Sequence, residues 1–127
     1  MKRDDDGSRT ERRHRLVTVA NPAPWHDARV RWSGDLAEGR RLILEYVPDR
    51  LVLAPTAFAD YLQVLEAAPW PTLEALVMTV LDDLNNQLVP RWVRVSARQE
   101  RGPIGHHATA SDRQPGWDNP ELLAGPG

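Results

Sequence analysis

The sequence predicts an α+β domain in which two helices cover one face of an antiparallel sheet. Three observations predict it. Leu73, Leu76, Val77, Val80, Leu81, Leu84 and Leu88 recur at intervals of three and four within Trp70–Leu88, which places them on one helical face. A second helix-spaced face, Ala57, Tyr61, Val64, Leu65 and Ala68, precedes it and is separated from it by Pro69 and Pro71. Runs with strand character flank this pair on both sides, giving the order strand, strand, helix, helix, strand, strand. Such a sheet has open edges, so pairing with other copies into a homo-oligomer is expected.

The elements follow in chain order. Met1–Arg12 is charged and lacks an apolar face, and reads as a disordered head over residues 1–12. Arg13–Ala20, with Leu16, Val17 and Val19, reads as a strand ended by the turn Asn21–Pro24. Arg29–Trp32 alternates polar and apolar residues and fits a short second strand or an extension of the first after a bulge. Ser33–Gly39 is a turn-rich connection. Arg41–Val47 is a stronger strand, ended by Pro48 and Asp49. Pro55 and Thr56 open the first helix of the pair. Thr72 can cap the second, with Pro71 beside it, and Pro90 stops it near Val89. Trp92–Ala97 alternates as a half-buried strand, and Ile104–Ala110 is its hairpin partner across Arg101–Gly105. One domain spans 13–116. Residues 117–127 form a tail, loose over Glu121–Gly127.

Composition narrows the function classes. The 127 residues are 41% hydrophobic and 27% charged, with a net charge of -2, so no global charge draws the chain to nucleic acid or to an acidic membrane. There is no cysteine, which removes disulfides, thiolate nucleophiles and cysteine-bound metal. No apolar run is long enough to cross a bilayer and no apolar leader opens the sequence, so the expected location is cytoplasmic. Five tryptophans, spread along the chain, suit core, interface and pocket-wall roles.

Several side chains carry candidate chemistry. Glu74 lies in the first turn of the second helix, where free N–H groups stabilise a carboxylate. It is either an ordinary first-turn acid or a pocket group at the edge of the apolar stripe. Trp70, close before it, is placed to wall a pocket or to fill the space between helices. His26, beside Asp27, is a candidate acid or base near neutral pH. His106 and His107 point to opposite faces if they lie in a strand, and make poor joint ligands for one metal. No zinc spacing is present, and no metal site is expected. Asp82 and Asp83 diverge on a helix, Asp83 lying nearer the apolar stripe. Arg91, Arg94, Arg98 and Arg101 surround the third strand, Arg94 and Arg98 on one face. They suit acidic partners or an anionic substrate group.

Short motifs sharpen this reading. Glu45–Asp49 (EYVPD), Leu81–Leu84 (LDDL), Pro90–Val95 (PRWVRV), Arg101–Ile104 (RGPI) and Pro115–Gly116 (PG), with a weaker match at Asn21–Pro22, stand in one register. Together, over residues 40–116, they resemble the 7-cyano-7-deazaguanine reductases. The resemblance implies the tunnelling fold, a unit of two strands, two helices and two strands. Such units assemble into barrels with sites between subunits. It also implies that Glu74 anchors a purine- or pterin-like heterocycle by accepting two N–H bonds.

The departures are equally informative. The reductases attack a nitrile with a cysteine, and here the cysteine loop looks deleted. The family's acid near that loop corresponds to Asp35 or Glu38. Ala54, Pro55, Thr56, Ala57, Phe58 and Ala59 occupy the register of the family's cofactor-binding segment, without its glutamate and lysines. Leu73 replaces the histidine before the anchoring glutamate. Nitrile reduction is therefore not expected, and no cofactor is. The expected function is an amino-heterocycle site at a subunit interface, with Glu74, Trp70 and Leu73 binding substrate. His26, Glu38 and His106 would catalyse a non-redox cyclisation, hydration or rearrangement. The alternatives are a non-catalytic small-molecule-binding protein or a structural tunnelling-fold protein.

Overall fold

In a computed structural model, which describes residues 6–124, alternation along four strands sets the architecture. The elements are α1 (Asp6–Arg15), β1 (Thr18–Ala20), β2 (Val30–Leu36), β3 (Arg40–Val47), β4 (Leu51–Leu53), α2 (Ala57–Ala67), α3 (Leu73–Leu88), β5 (Trp92–Arg101), β6 (Ile104–Arg113) and α4 (Pro120–Leu123). The main sheet has the order β2-β3-β5-β6, all neighbours antiparallel. Leu42, Leu44 and Tyr46 of β3 and Val93, Val95 and Ala97 of β5 point to one face and are buried. Leu76, Val77, Val80, Leu84 and Leu88 of α3 and Phe58, Tyr61 and Leu65 of α2 share that core. Alternate residues point to the opposite face, where period-two geometry puts Arg31, Ser33, Asp35, Arg41, Glu45, Arg94, Ser96, Arg98, His107 and Thr109.

The second helix of the pair follows its sequence signals closely. Thr72 has extended backbone, and its Oγ1 accepts from the Ala75 N–H at 3.0 Å. All seven apolar stripe positions are buried. Val89 turns left-handed at φ 45° and its N–H reaches the Asn85 carbonyl, ending α3 just before Pro90.

Elsewhere the structure corrects the expectations. Residues 6–12, expected in a disordered head, are helical in α1, while residues 1–5 lie outside the described part. The reason is a buried acceptor far along the chain. Asp83, fully buried on α3, accepts from Arg12 Nε and Arg13 Nε, each at 2.9 Å, and from the Tyr61 hydroxyl at 2.7 Å. A lone buried carboxylate is costly, and two guanidiniums and a phenol offset that cost only if α1 docks. Arg13–Arg15 therefore finish a helix, and the first strand shortens to Thr18–Ala20. That strand leaves the main sheet and pairs with β4, an unforeseen strand. The second strand runs to Leu36 rather than Trp32, and the turn narrows to three residues, with Glu38 at φ 66° and Gly39 at φ 71°. In the tail, Glu121–Leu123 belong to α4 rather than being loose. Asn119 caps the helix, and Arg29 Nη1 donates to the carbonyls of Leu122 and Leu123 at 3.3 Å. Residues 125–127 lie outside the described part.

Candidate functional site

The capped start of α3 fixes Glu74 beside the β5–β6 hairpin. Register pairs His106 with Gln99, on the side of the sheet that α3 covers. His106 Nε2 and Glu74 Oε2 meet at 3.0 Å. With the carboxylate ionised, the bridging proton sits on Nε2. The hydrogen bond from His106 lowers the Glu74 pKa, assisted by a backbone N–H at the helix start. Around the pair lies a shallow depression of about 340 Å³, lined also by Leu73, Gln99, Arg101 and Ile104. The Glu74 side chain is 63% exposed and that of His106 45%. The pocket expected at Glu74 is therefore open to water within one chain, because the hairpin covers one side of it only.

The other expected site residues divide among three places. Leu73 forms the floor of the depression and belongs to the core at 4% exposure. Glu38 stands near its rim. Its carboxylate meets Arg101 Nη2 at 3.3 Å, and its carbonyl accepts from Gln99 Nε2 at 3.0 Å. Trp70 does not line this depression. Its indole N–H donates to the Leu65 carbonyl at 2.8 Å, and the ring walls a separate groove between α1 and the ends of α2 and α3.

His26 does not join Glu74 and His106 within one chain. It precedes β2 at the end of the sheet where Val30, Tyr46, Val93 and Asp112 align, whereas Glu74 and His106 sit at the Gln99 end. Nor does Asp27 orient His26. Its carboxylate takes Asn119 Nδ2 at 3.0 Å, Trp117 Nε1 at 3.3 Å and Arg91 Nη1 at 3.0 Å. The Asn119 bond lowers the Asp27 pKa most, ahead of the opposing effect of burial and the help of Trp117 and Arg91.

Two groupings escaped sequence reasoning. Gln99 joins the depression because it pairs with His106, a contact that the exact hairpin register alone would have shown. Glu45, inside the EYVPD motif, is buried and bridged by Arg29 Nη2 at 2.8 Å and Arg94 Nη2 at 2.6 Å. Both guanidiniums also lie over the Trp92 ring, at 5.7 and 5.4 Å from its centre. Burial alone would raise the Glu45 pKa, but Arg94 and then Arg29 hold it below its ordinary value. Among the described residues, no three His, Asp or Glu side chains are grouped to hold a metal, and no helix is long and apolar enough to cross a membrane.

Comparison with known proteins bears on both fold and family. No family model matches the chain. The archaeosine synthase QueF-Like, solved in the apo form, aligns with a TM-score of 0.53 over 68% of this chain and 90% of that one. At 16% identity this likeness speaks to the fold, the tunnelling fold. The NADPH-dependent 7-cyano-7-deazaguanine reductase of Nitrosococcus oceani is 32% identical over 122 residues, 85% of this chain and 92% of the relative. Sequence identity at this coverage, carried on a shared fold, shows that the chain belongs to the 7-cyano-7-deazaguanine reductase family, as a divergent member that contains no cysteine.

Proposed function

We propose that this chain binds a flat amino-heterocycle of purine or pterin type at the Glu74–His106 depression, in a site completed by a second subunit. There it promotes a non-redox cyclisation, hydration or rearrangement. The Glu74–His106 contact at 3.0 Å carries the reading. An ionised carboxylate accepts two parallel N–H bonds from an amino-heterocycle, and the neighbouring imidazole moves a proton at the ring it holds. Glu38 reaches the rim through Arg101 and is placed to assist. His26, at the far end of the sheet, serves this chemistry only from another subunit. A thiolate mechanism has no residue to use, because the sequence contains no cysteine.

The second reading is binding without turnover. The openness of Glu74, 63% exposed in its side chain, favours it, since proton transfer gains most where water is excluded. Titration with a panel of purines, pterins and related amino-heterocycles tests both readings. Glu74→Gln is expected to weaken binding by about tenfold or more, the worth of a charge-assisted pair of hydrogen bonds. His106→Gln is expected to abolish turnover while leaving binding within about threefold. Turnover that survives His106→Gln removes its acid–base role. Absence of binding to every heterocycle in the panel refutes the site itself.

A further inference from the structure

We propose that the face of the sheet away from α2 and α3 holds a second site, for a small phosphate-bearing molecule, built on Arg98, Arg41 and His107. The observation is a single cross-strand row. Asp35 pairs with Arg41, Arg41 with Arg98, and Arg98 with His107, so the four side chains stand side by side across all four strands. Like charges directly opposite each other destabilise a sheet, yet this row sets two arginines face to face. Its one acid serves Arg41 alone. Asp35 Oδ1 accepts from Arg41 Nη1 at 2.8 Å, and Arg41 Nη2 donates to Ser33 Oγ at 3.0 Å.

Arg98 differs from the other arginines of the strand and its ends. Arg91 meets Asp27 and Asp49, Arg94 meets Glu45, and Arg101 meets Glu38. Arg98 is exposed and meets no carboxylate among the described residues. His107 beside it is exposed as well, and the hydroxyls of Ser96 and Thr109, 3.1 Å apart, occupy the next row. The chain as a whole carries a net charge of -2, so this local excess of positive charge is not a by-product of a basic protein.

The chemistry of the row selects the ligand. Neighbouring strands lie about 4.8 Å apart, so Arg41, Arg98 and His107 present donors over roughly 10 Å. A carboxylate offers two coplanar oxygens, which one guanidinium fork satisfies. A phosphate offers three oxygens in a tetrahedral arrangement and up to two charges, enough for donors from three strands and an adjacent hydroxyl. The two neighbouring histidines thus serve opposite faces, His106 at Glu74 and His107 here. The second site does not depend on the heterocycle reading.

The test is a calorimetric titration of the full chain with pyrophosphate at about 0.15 M ionic strength, where long-range attraction is screened beyond roughly 8 Å. Saturable binding is expected, weakened about tenfold by Arg98→Ala and less by Arg98→Lys. Arg50→Ala, which removes the same charge from an exposed position at the β3–β4 turn, should leave it unchanged. The proposal is overturned by absence of saturable binding, by equal weakening in Arg50→Ala, or by succinate binding as tightly as pyrophosphate. It is overturned equally if a single-stranded RNA binds far more tightly than pyrophosphate through Arg98, since the occupant would then be a polymer.

Discussion

Three acids of α3 show how neighbouring residues acquire different work. Asp83 is fully buried among Arg12, Arg13 and Tyr61, Asp82 beside it is exposed, and Glu74 reaches out to His106. The apolar stripe announces that Asp83 leans inward, but its arginine partners lie 70 and 71 residues away in a segment that looks featureless by composition. Asp83→Ala should therefore cost about 3–5 kcal/mol in urea denaturation, because it breaks the buried ion pairs to Arg12 and Arg13. Asp82→Ala should stay within about 0.5 kcal/mol. Glu45 supplies a test by pH. Its folded pKa lies below the ordinary 4.5, so its contribution is complete above that value and is lost as pH falls through the folded pKa. Stability measured from pH 6 down to about pH 3 should fall less steeply in Glu45→Gln than in the parent.

Legibility of the elements follows how local their causes are. The α3 stripe, its Thr72 cap and its Pro90 stop lie within the helix or next to it, and the structure agrees with all of them. The strands β3 and β5 likewise announce themselves by alternation. In contrast, α1, β4 and α4 are stabilised by distant partners: Asp83 for α1, β1 for β4 and Arg29 for α4. The second strand reads short in the sequence because Ser33–Gly39 looks like a turn-rich connection. Gly34 instead lies in the strand under α2, where a Cβ would come within 2.6 Å of Leu62 Cδ1 and 3.1 Å of Phe58 and those side chains would have to shift. Thr72→Ala should cost about 1 kcal/mol by equilibrium unfolding, through loss of the Ala75 N–H acceptor. Hydrogen exchange should show the gain in opening concentrated in the first turn of α3, the turn that presents Glu74.

At the scale of the molecule, the main sheet ends in two edges, β2 and β6, that are unpaired among the described residues. The Glu74 depression opens beside the β6 edge, and His26 stands at the opposite end of the sheet, so within one chain the two do not meet. The motif register points to Glu74 as a candidate anchor, and the structure sets His106, Gln99 and Arg101 around it. Trp70, expected beside Glu74, lies instead in a groove shared with α1, an element that its composition hides. The central claim is a heterocycle held by Glu74 in an assembly of subunits. The most direct measurement is native mass spectrometry of the protein isolated from its own cells, beside a Glu74→Gln form prepared identically. The expected result is an oligomer carrying a small heterocyclic adduct that is lost in Glu74→Gln while the subunit number is unchanged. Ligand-free monomer in both preparations, or an adduct retained by Glu74→Gln, would contradict it.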